Sequence, residues 1–301
     1  MLKTRILTVV ILLPFLMWLL LYAPHEVMFV ALAISTTISV FEMSMMLQPR
    51  LDELFRNFVF VDNTSAVPER KNVYHAASRP KHYVYLASFC SIVMTTIFAM
   101  SVYSDLVAGR GTIVLGLMLA LLAAVFATRG IEAEMARVLG FVLTLVYAGF
   151  PWLVIWDLYI QEPASRQVLL VLIVVWCGDT GGYFGGRFWG KHKLAPNKSP
   201  KKTWEGAITG LSASIAGAIA FHLFYYVELA GGVVTAVLAG LFGGITGQMG
   251  DLVESVFKRF TRVKDSGAIL PGHGGLLDRI DGVLFAAPVI WFILYWAKVF
   301  N

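Results

Sequence analysis

Nine apolar runs of near membrane length constrain this chain more than anything else in it. They lie at about 6–22, 27–47, 83–103, 112–128, 138–156, 168–186, 206–227, 233–249 and 283–297. A bilayer core takes about 20 such residues per helix, and the last run is the short one. No water reaches that core to bond stray amides, so each run must satisfy its own backbone as helix. Composition agrees. Of 301 residues, 58% are hydrophobic and 14% charged, against about 25% charged in a soluble domain, and mean hydropathy is +0.73. The expected fold is all-α, a polytopic integral membrane protein with about nine transmembrane helices. The first run has the length of a signal peptide. Pro24-His25-Glu26 follows it where small residues would be needed for cleavage, so it stays a span.

Lys and Arg set the expected orientation. With the N-terminus inside, 21 of the 24 fall in inner segments, and only Arg110, Arg166 and Lys298 fall outside. That bias predicts a cytoplasmic N-terminus and an outside C-terminus. The net charge of +5 also suits an anionic membrane surface or phosphate ligands. The polar interruption at 48–82 reads as a cytoplasmic loop, with a surface helix at about 51–61 and no evident chemistry. Glu42 lies five residues from an inner span end, where facing the interface is the plainer expectation. Cys90 and Cys177 both lie in apolar runs and form no disulfide or zinc pattern. Two regions are expected: N-terminal transmembrane helices over 1–165, and a region over 166–301 that carries the charged motifs.

The densest charge sits at 250–282. It holds Asp251, Glu254, Asp265, Asp278 and Asp281 with Lys258, Arg259, Arg262, Lys264 and Arg279. Charge beside membrane spans is costly and needs a reason. If 251–260 is helical, Asp251, Glu254, Ser255 and Lys258 share one face. Asp278 and Asp281 are again three apart. The link Leu270-Pro271-Gly272-His273-Gly274-Gly275 resists regular helix and can bring those two aspartates back toward Asp251. Clustered carboxylates ask for a cation, and oxygen-only ligands suit Mg²⁺. Surface ion pairs on a solvated loop are the plainer alternative.

Two further stretches carry chemistry. Glycines at 178, 181, 182, 185 and 186 surround Asp179. Such a face promotes close helix contact, while a carboxylate inside a span is a functional candidate. In Ser199-Pro200-Lys201-Lys202-Thr203-Trp204-Glu205-Gly206, Ser199 reads as an N-cap and Pro200 as the first helical residue. Lys201 and Lys202 would then stand in a first turn that favours anions, a conflict that a bound polyphosphate relieves. Cytoplasmic positive bias is the plainer alternative.

In order, Ser255-x-x-Lys258-Arg259, Lys264-Asp265-x-Gly267, Leu270-Pro271-Gly272-His273-Gly274-Gly275 and Asp278-Arg279-x-Asp281 resemble the signature of the phosphatidate cytidylyltransferases, or CDP-diacylglycerol synthases. The Asp179-Thr180-Gly181-Gly182-Tyr183 and Ser-Pro-Lys-Lys-Thr-Trp-Glu-Gly strings resemble further motifs of that family. The close resemblance runs from about 179 to 282. It implies transfer of the cytidylyl group of CTP to phosphatidate, giving CDP-diacylglycerol and pyrophosphate for phospholipid synthesis. It further implies Mg²⁺ held by Asp251, Asp278 and Asp281, and leaves a second cation open. Lys258 and Arg279 join those aspartates as catalytic candidates. Asp179, Ser199, Lys201, Lys202, Thr203, Arg259, Lys264, Asp265 and His273 are the substrate-binding candidates. Lys201 and Lys202 hold the triphosphate. Lys258, Arg259, Lys264 and Arg279 meet the lipid phosphate or the departing pyrophosphate. Asp265 and His273 shape the loop. The implied setting is a bacterial inner membrane with the site facing the cytoplasm. CTP, phosphatidate and the bilayer are the partners, nucleic acid is not, and a homodimer is left open. Three rivals stand: a transporter, a CDP-alcohol phosphotransferase, and a paralogue acting on another lipid phosphate. No pseudo-symmetric halves favour the first, and the denser aspartate run of the second is missing.

Overall fold

In the computed structural model, residues 2–60, 88–89, 91–96, 99, 131–161, 166–224, 229–270, 272 and 274–300 are described. They are mostly helical. The helices are α1 (Leu2–Tyr22), α2 (His25–Phe60), α3 (Ile131–Thr144), α4 (Phe150–Ile160), α5 (Arg166–Phe188), α6 (Trp204–Phe224), α7 (Gly232–Phe260) and α8 (Leu277–Phe300). A π-helical turn, Leu145–Gly149, joins α3 to α4. The strands β1 (Lys193–Ala195) and β2 (Ser199–Thr203) form an antiparallel hairpin between α5 and α6. The hairpin is a small β addition to the expected helical fold.

Six stretches are long and apolar enough to cross a membrane among the described residues: His25–Leu54, Met135–Ile160, Arg166–Phe188, Trp204–Phe224, Gly232–Phe260 and Leu277–Phe300. The expected spans at 83–103 and 112–128 fall mainly outside the described residues, as does most of the 48–82 loop. The expected surface helix at 51–61 is no separate element. It is the end of α2, which runs unbroken for 36 residues with Pro49 inside it. At 1.5 Å per residue that is about 54 Å, well beyond a hydrocarbon core of about 30 Å. Glu42 does not face an interface. It is 3% exposed within α2.

The chain divides into two compact units, Ala33–Phe150 and a second made of Met1–Leu32 with Pro151–Asn301. In the first, Gln48 Nε2 donates to the Arg137 carbonyl at 3.2 Å and Ser91 Oγ to the Thr37 carbonyl at 3.1 Å. Val40, Met43, Leu47 and Met94 are buried there. In the second, Phe29 meets Trp156 edge to face, and Tyr159 donates to the Ala23 carbonyl.

That second unit contains the four helices that carry the charged and glycine-rich motifs. α5 lies along α6, α6 along α7, and α7 along α8, while α5 also touches α7 and α8. Small residues make these approaches possible. A Cβ added at Gly181 would stand 2.6 Å from the Ala213 Cβ, and one at Gly210 would stand 2.8 Å from the Gly178 carbonyl. Thr209 uses the room to donate across the seam to the Gly181 carbonyl at 3.0 Å. Ser214 does the same to Val174 at 2.7 Å. The glycines around Asp179 therefore do serve close helix contact. A second close approach joins α7 to α8, where a Cβ at Gly250 would meet the Asp281 carbonyl at 2.5 Å. It sets Asp251 beside the start of α8.

Candidate active site

The motifs meet at one end of this four-helix group, around a cavity of about 700 Å³. Its wall takes Asp179, Tyr183 and Arg187 from α5, and Lys201, Lys202 and Thr203 from β2. Gly206 and Ala207 come from α6, Gln248, Asp251, Glu254 and Lys258 from α7, and Asp278, Arg279 and Asp281 from α8. The residues from α5, β2, α7 and α8 include members of the predicted motifs, although 102 positions separate Asp179 from Asp281.

The hairpin corrects one expectation. No helix begins at Ser199. Ser199 pairs with Ala195 and Lys193 with Thr203. A residue before proline is pushed toward extended geometry, and Ser199 precedes Pro200. The cap passes to Thr203, whose Oγ1 accepts the Gly206 amide at 3.1 Å, the usual N-cap geometry. Lys201 and Lys202 thus lie on a strand before the helix, and the clash with its dipole disappears. The Trp204 amide closes the hairpin by donating to the His192 carbonyl at 3.0 Å. Glu205 accepts from the His192 amide and meets its Nδ1 at 2.6 Å.

α7 continues unbroken to Phe260, so Asp251, Glu254 and Lys258 do share a face. Lys202 Nζ reaches Asp251 at 2.7 Å and donates to the Gln248 carbonyl at 3.3 Å. Lys258 Nζ bonds Glu254 at 2.5 Å and Asp278 at 2.8 Å. Asp278 is the most engaged carboxylate. Its second oxygen accepts the amides of Ser266 and Gly275, both at 2.9 Å, and the Ser266 hydroxyl at 3.1 Å. Reaching back three residues to Gly275 is what the acidic member of a capping box does. Gly272 and Gly274 turn the link with φ of 76° and 85°, conformations that suit glycine. A Cβ on Gly274 would also lie 2.7 Å from Asp278 Oδ2.

Of the candidates, Asp179, Lys201, Lys202, Thr203, Asp251, Lys258, Asp278, Arg279 and Asp281 line the cavity. Ser199, Arg259, Lys264 and Asp265 do not. Arg259 Nε instead donates to the Lys198 carbonyl at 3.3 Å and ties α7 to the hairpin turn. His273 lies outside the described residues. Glu254, Gln248, Tyr183 and Arg187 were not among the candidates. Glu254 had a signal, its place on the Asp251 face. So did Tyr183 and Arg187, which follow Asp179 at i+4 and i+8 on one helix stripe.

The donor chemistry bears on a cation. Among the described residues, no group of three or more His, Cys, Asp or Glu side chains is arranged to enclose a metal ion. A complete cage is not what Mg²⁺ requires, since it keeps several waters and takes one or two carboxylates beside substrate phosphates. Glu254 is fully buried beside Asp281, and its Oε1 has no well-formed hydrogen bond among the described residues. Asp281 lies in the field of Asp251 and of Glu254 at once. Such unbalanced oxygens fit a hard cation. Asp278 fits one less well, because protein donors already engage both its oxygens.

Sequence comparison follows the same path. A phosphatidate cytidylyltransferase of Staphylococcus epidermidis (strain ATCC 35984) is 40% identical over 152 residues, covering 50% of this chain and 57% of that protein. One of Staphylococcus haemolyticus is 44% identical over 134 residues, covering 44% of this chain and 51% of that protein. A Staphylococcus aureus (strain COL) protein of the same name is 40% identical over 152 residues, 50% of this chain and 57% of its own. The chain thus spans little more than half the length of these relatives. The family match is far broader: residues 3–297 fit the cytidylyltransferase family, and the chain, with its hairpin lysines and clustered carboxylates on one cavity, belongs to that family.

Proposed function

We propose that this protein transfers the cytidylyl group of CTP to phosphatidate, releasing pyrophosphate. A phosphate oxygen of the lipid attacks the α-phosphorus of CTP, and the bond from that phosphorus to the β-phosphate bridge breaks. A phosphate monoester is largely ionised at neutral pH, its second pKa being about 6. No strong general base is then needed, and positioning with charge neutralisation carries the step. One observation supports this above the others: a single cavity joins hairpin lysines, a helix start and carboxylates at the end of membrane-length helices. Family membership and the names of the relatives agree with it. A transporter is the weaker reading on the same grounds.

Lys201 and Lys202 hold the triphosphate beside the N-terminus of α6. Asp251 and Asp281 hold Mg²⁺, which when bound neutralises phosphate charge and polarises the reacting phosphorus. Asp278 shapes the 266–275 link and fixes Lys258 toward the leaving phosphates. The catalytic region is 166–301, within a bundle of nine spans. Its cavity opens to the cytoplasm of a bacterial cell, with the N-terminus on the same side. The test uses full-length protein in mixed micelles with labelled CTP, phosphatidate and Mg²⁺. CDP-diacylglycerol and pyrophosphate should form in equal amounts. Faster turnover with another lipid phosphate would transfer the proposal to a different substrate, and no lipid-dependent pyrophosphate would end it.

A further inference from the structure

Arg187, like Lys201, stands on the cavity wall without a carboxylate ion pair among the described residues. Lys202 is paired with Asp251, and Lys258 with Glu254 and Asp278. Lys201 lies on the hairpin strand, and Arg279 opens α8 beside the aspartates. Arg187 comes from the last turn of α5, is exposed, and has no carboxylate partner among the described residues. Its Nη1 donates to the Tyr183 hydroxyl at 2.8 Å, which steadies the guanidinium and leaves most of its five donors available.

Its surroundings have a depth. Tyr183, Phe184, Phe188, Trp189 and Trp204 are each 50–68% exposed. The Phe184 and Phe188 rings stack at 6.1 Å. An exposed cluster of this kind at the end of membrane-length helices marks the headgroup level of a bilayer. Arg187 is therefore the cavity cation set among interfacial aromatics, at the depth where a lipid carries its phosphate. A planar guanidinium binds a phosphate through two parallel bonds.

We infer that Arg187, steadied by Tyr183, binds the phosphomonoester head of the lipid substrate, while the hairpin lysines take the nucleotide. The inference rests on the lipid-phosphate reading above. A cation in a last helical turn also complements the helix dipole, and Lys serves that purpose equally. Arg187→Lys therefore separates recognition from helix stabilisation.

The experiment has two arms on full-length protein in detergent. In the first, binding of a fluorescent phosphatidate is followed by anisotropy, with fluorescent diacylglycerol as the uncharged control. Arg187→Gln should weaken phosphatidate binding by about tenfold or more, the scale of one lost charge-assisted pair. Arg187→Lys should recover only part of it, Tyr183→Phe should lose less, and diacylglycerol should not distinguish the variants. In the second, pyrophosphate release is measured against lipid and against CTP. The KM for lipid should rise in Arg187→Gln while that for CTP stays within about twofold. Equal phosphatidate binding in wild type and Arg187→Gln overturns the inference, even where the wild type turns over. So does full recovery in Arg187→Lys, or an equal rise in the KM for CTP. Absence of wild-type turnover with Arg187-dependent binding intact overturns the proposed reaction and supports the lipid site.

Discussion

Asp278→Asn separates a carboxylate that builds the site from one that works in it. Asp278 accepts from Lys258 Nζ, two backbone amides and the Ser266 hydroxyl. Its side chain is 5% exposed and that of Lys258 is 18% exposed. Asn keeps the shape but turns one acceptor into a donor. That donor must face either the Lys258 ammonium or the amides of Ser266 and Gly275, and both arrangements oppose donor to donor. Breaking a buried pair by removing one partner costs about 3–5 kcal/mol. Lys258 keeps Glu254, so we place the loss at the lower end, about 3 kcal/mol.

Asp251→Asn is the matched control. Its side chain is 41% exposed and, among the described residues, it pairs with Lys202, and pairs of that kind contribute about 0–1 kcal/mol. Thermal unfolding in detergent should place Asp278→Asn well below wild type and Asp251→Asn close to it. Pyrophosphate release should be lost in both. Only Asp251→Asn should regain part of its rate at raised Mg²⁺ or Mn²⁺, because there the fold is intact and a ligand is missing. Equal unfolding midpoints for the two variants, or metal rescue of Asp278→Asn alone, would refute the division of roles.

Three further outcomes are expected. Lys202→Ala and Lys201→Ala should raise the KM for CTP more than that for lipid, and an unchanged CTP response in both would reduce the hairpin lysines to topology signals. Gly274→Ala should lower the unfolding midpoint, since a left-handed φ costs a non-glycine residue about 1–2 kcal/mol and the new Cβ would press on Asp278 Oδ2; a midpoint equal to wild type would mean that the link tolerates another path. A thiol placed at Asn197, in the hairpin turn, should react only with reagent on the cytoplasmic side, and labelling from outside would reverse the proposed orientation.

Helix positions were legible because apolar runs have one answer in a bilayer, and α5, α6, α7 and α8 follow the expected spans closely. Their ends were not. Hydropathy stops where charge begins, at Met249 and again before Val283, yet α7 continues to Phe260 and α8 starts at Leu277. A helix that already satisfies its backbone loses nothing by carrying charged residues past the apolar core. The hairpin was hidden for another reason. Ser199-Pro200 and Thr203-Trp204-Glu205 are both acceptable helix starts, and only the pairing of Ser199 with Ala195 decides between them. That pairing is tertiary information.

The same limit explains which site residues were found. Asp251, Asp278 and Asp281 drew notice because charge beside a membrane span is conspicuous. Arg187 did not, since a basic residue at an inner helix end is what orientation alone predicts. The charge of the cavity bears on that ambiguity. Among the described residues its wall carries five carboxylates and five Lys or Arg side chains, so it is nearly neutral although a nucleotide triphosphate and a lipid phosphate are both strongly anionic. Lys202 and Lys258 are held by acids, which keeps a group of cations stable at a membrane end. Two polyanions entering such a wall need positive charge from elsewhere. Part can come with the nucleotide as its divalent ion, and part from a wall cation that no acid neutralises. Arg187, like Lys201, is a wall cation with no carboxylate ion pair among the described residues, and the proposed division gives Arg187 to the lipid phosphate and Lys201 to the nucleotide.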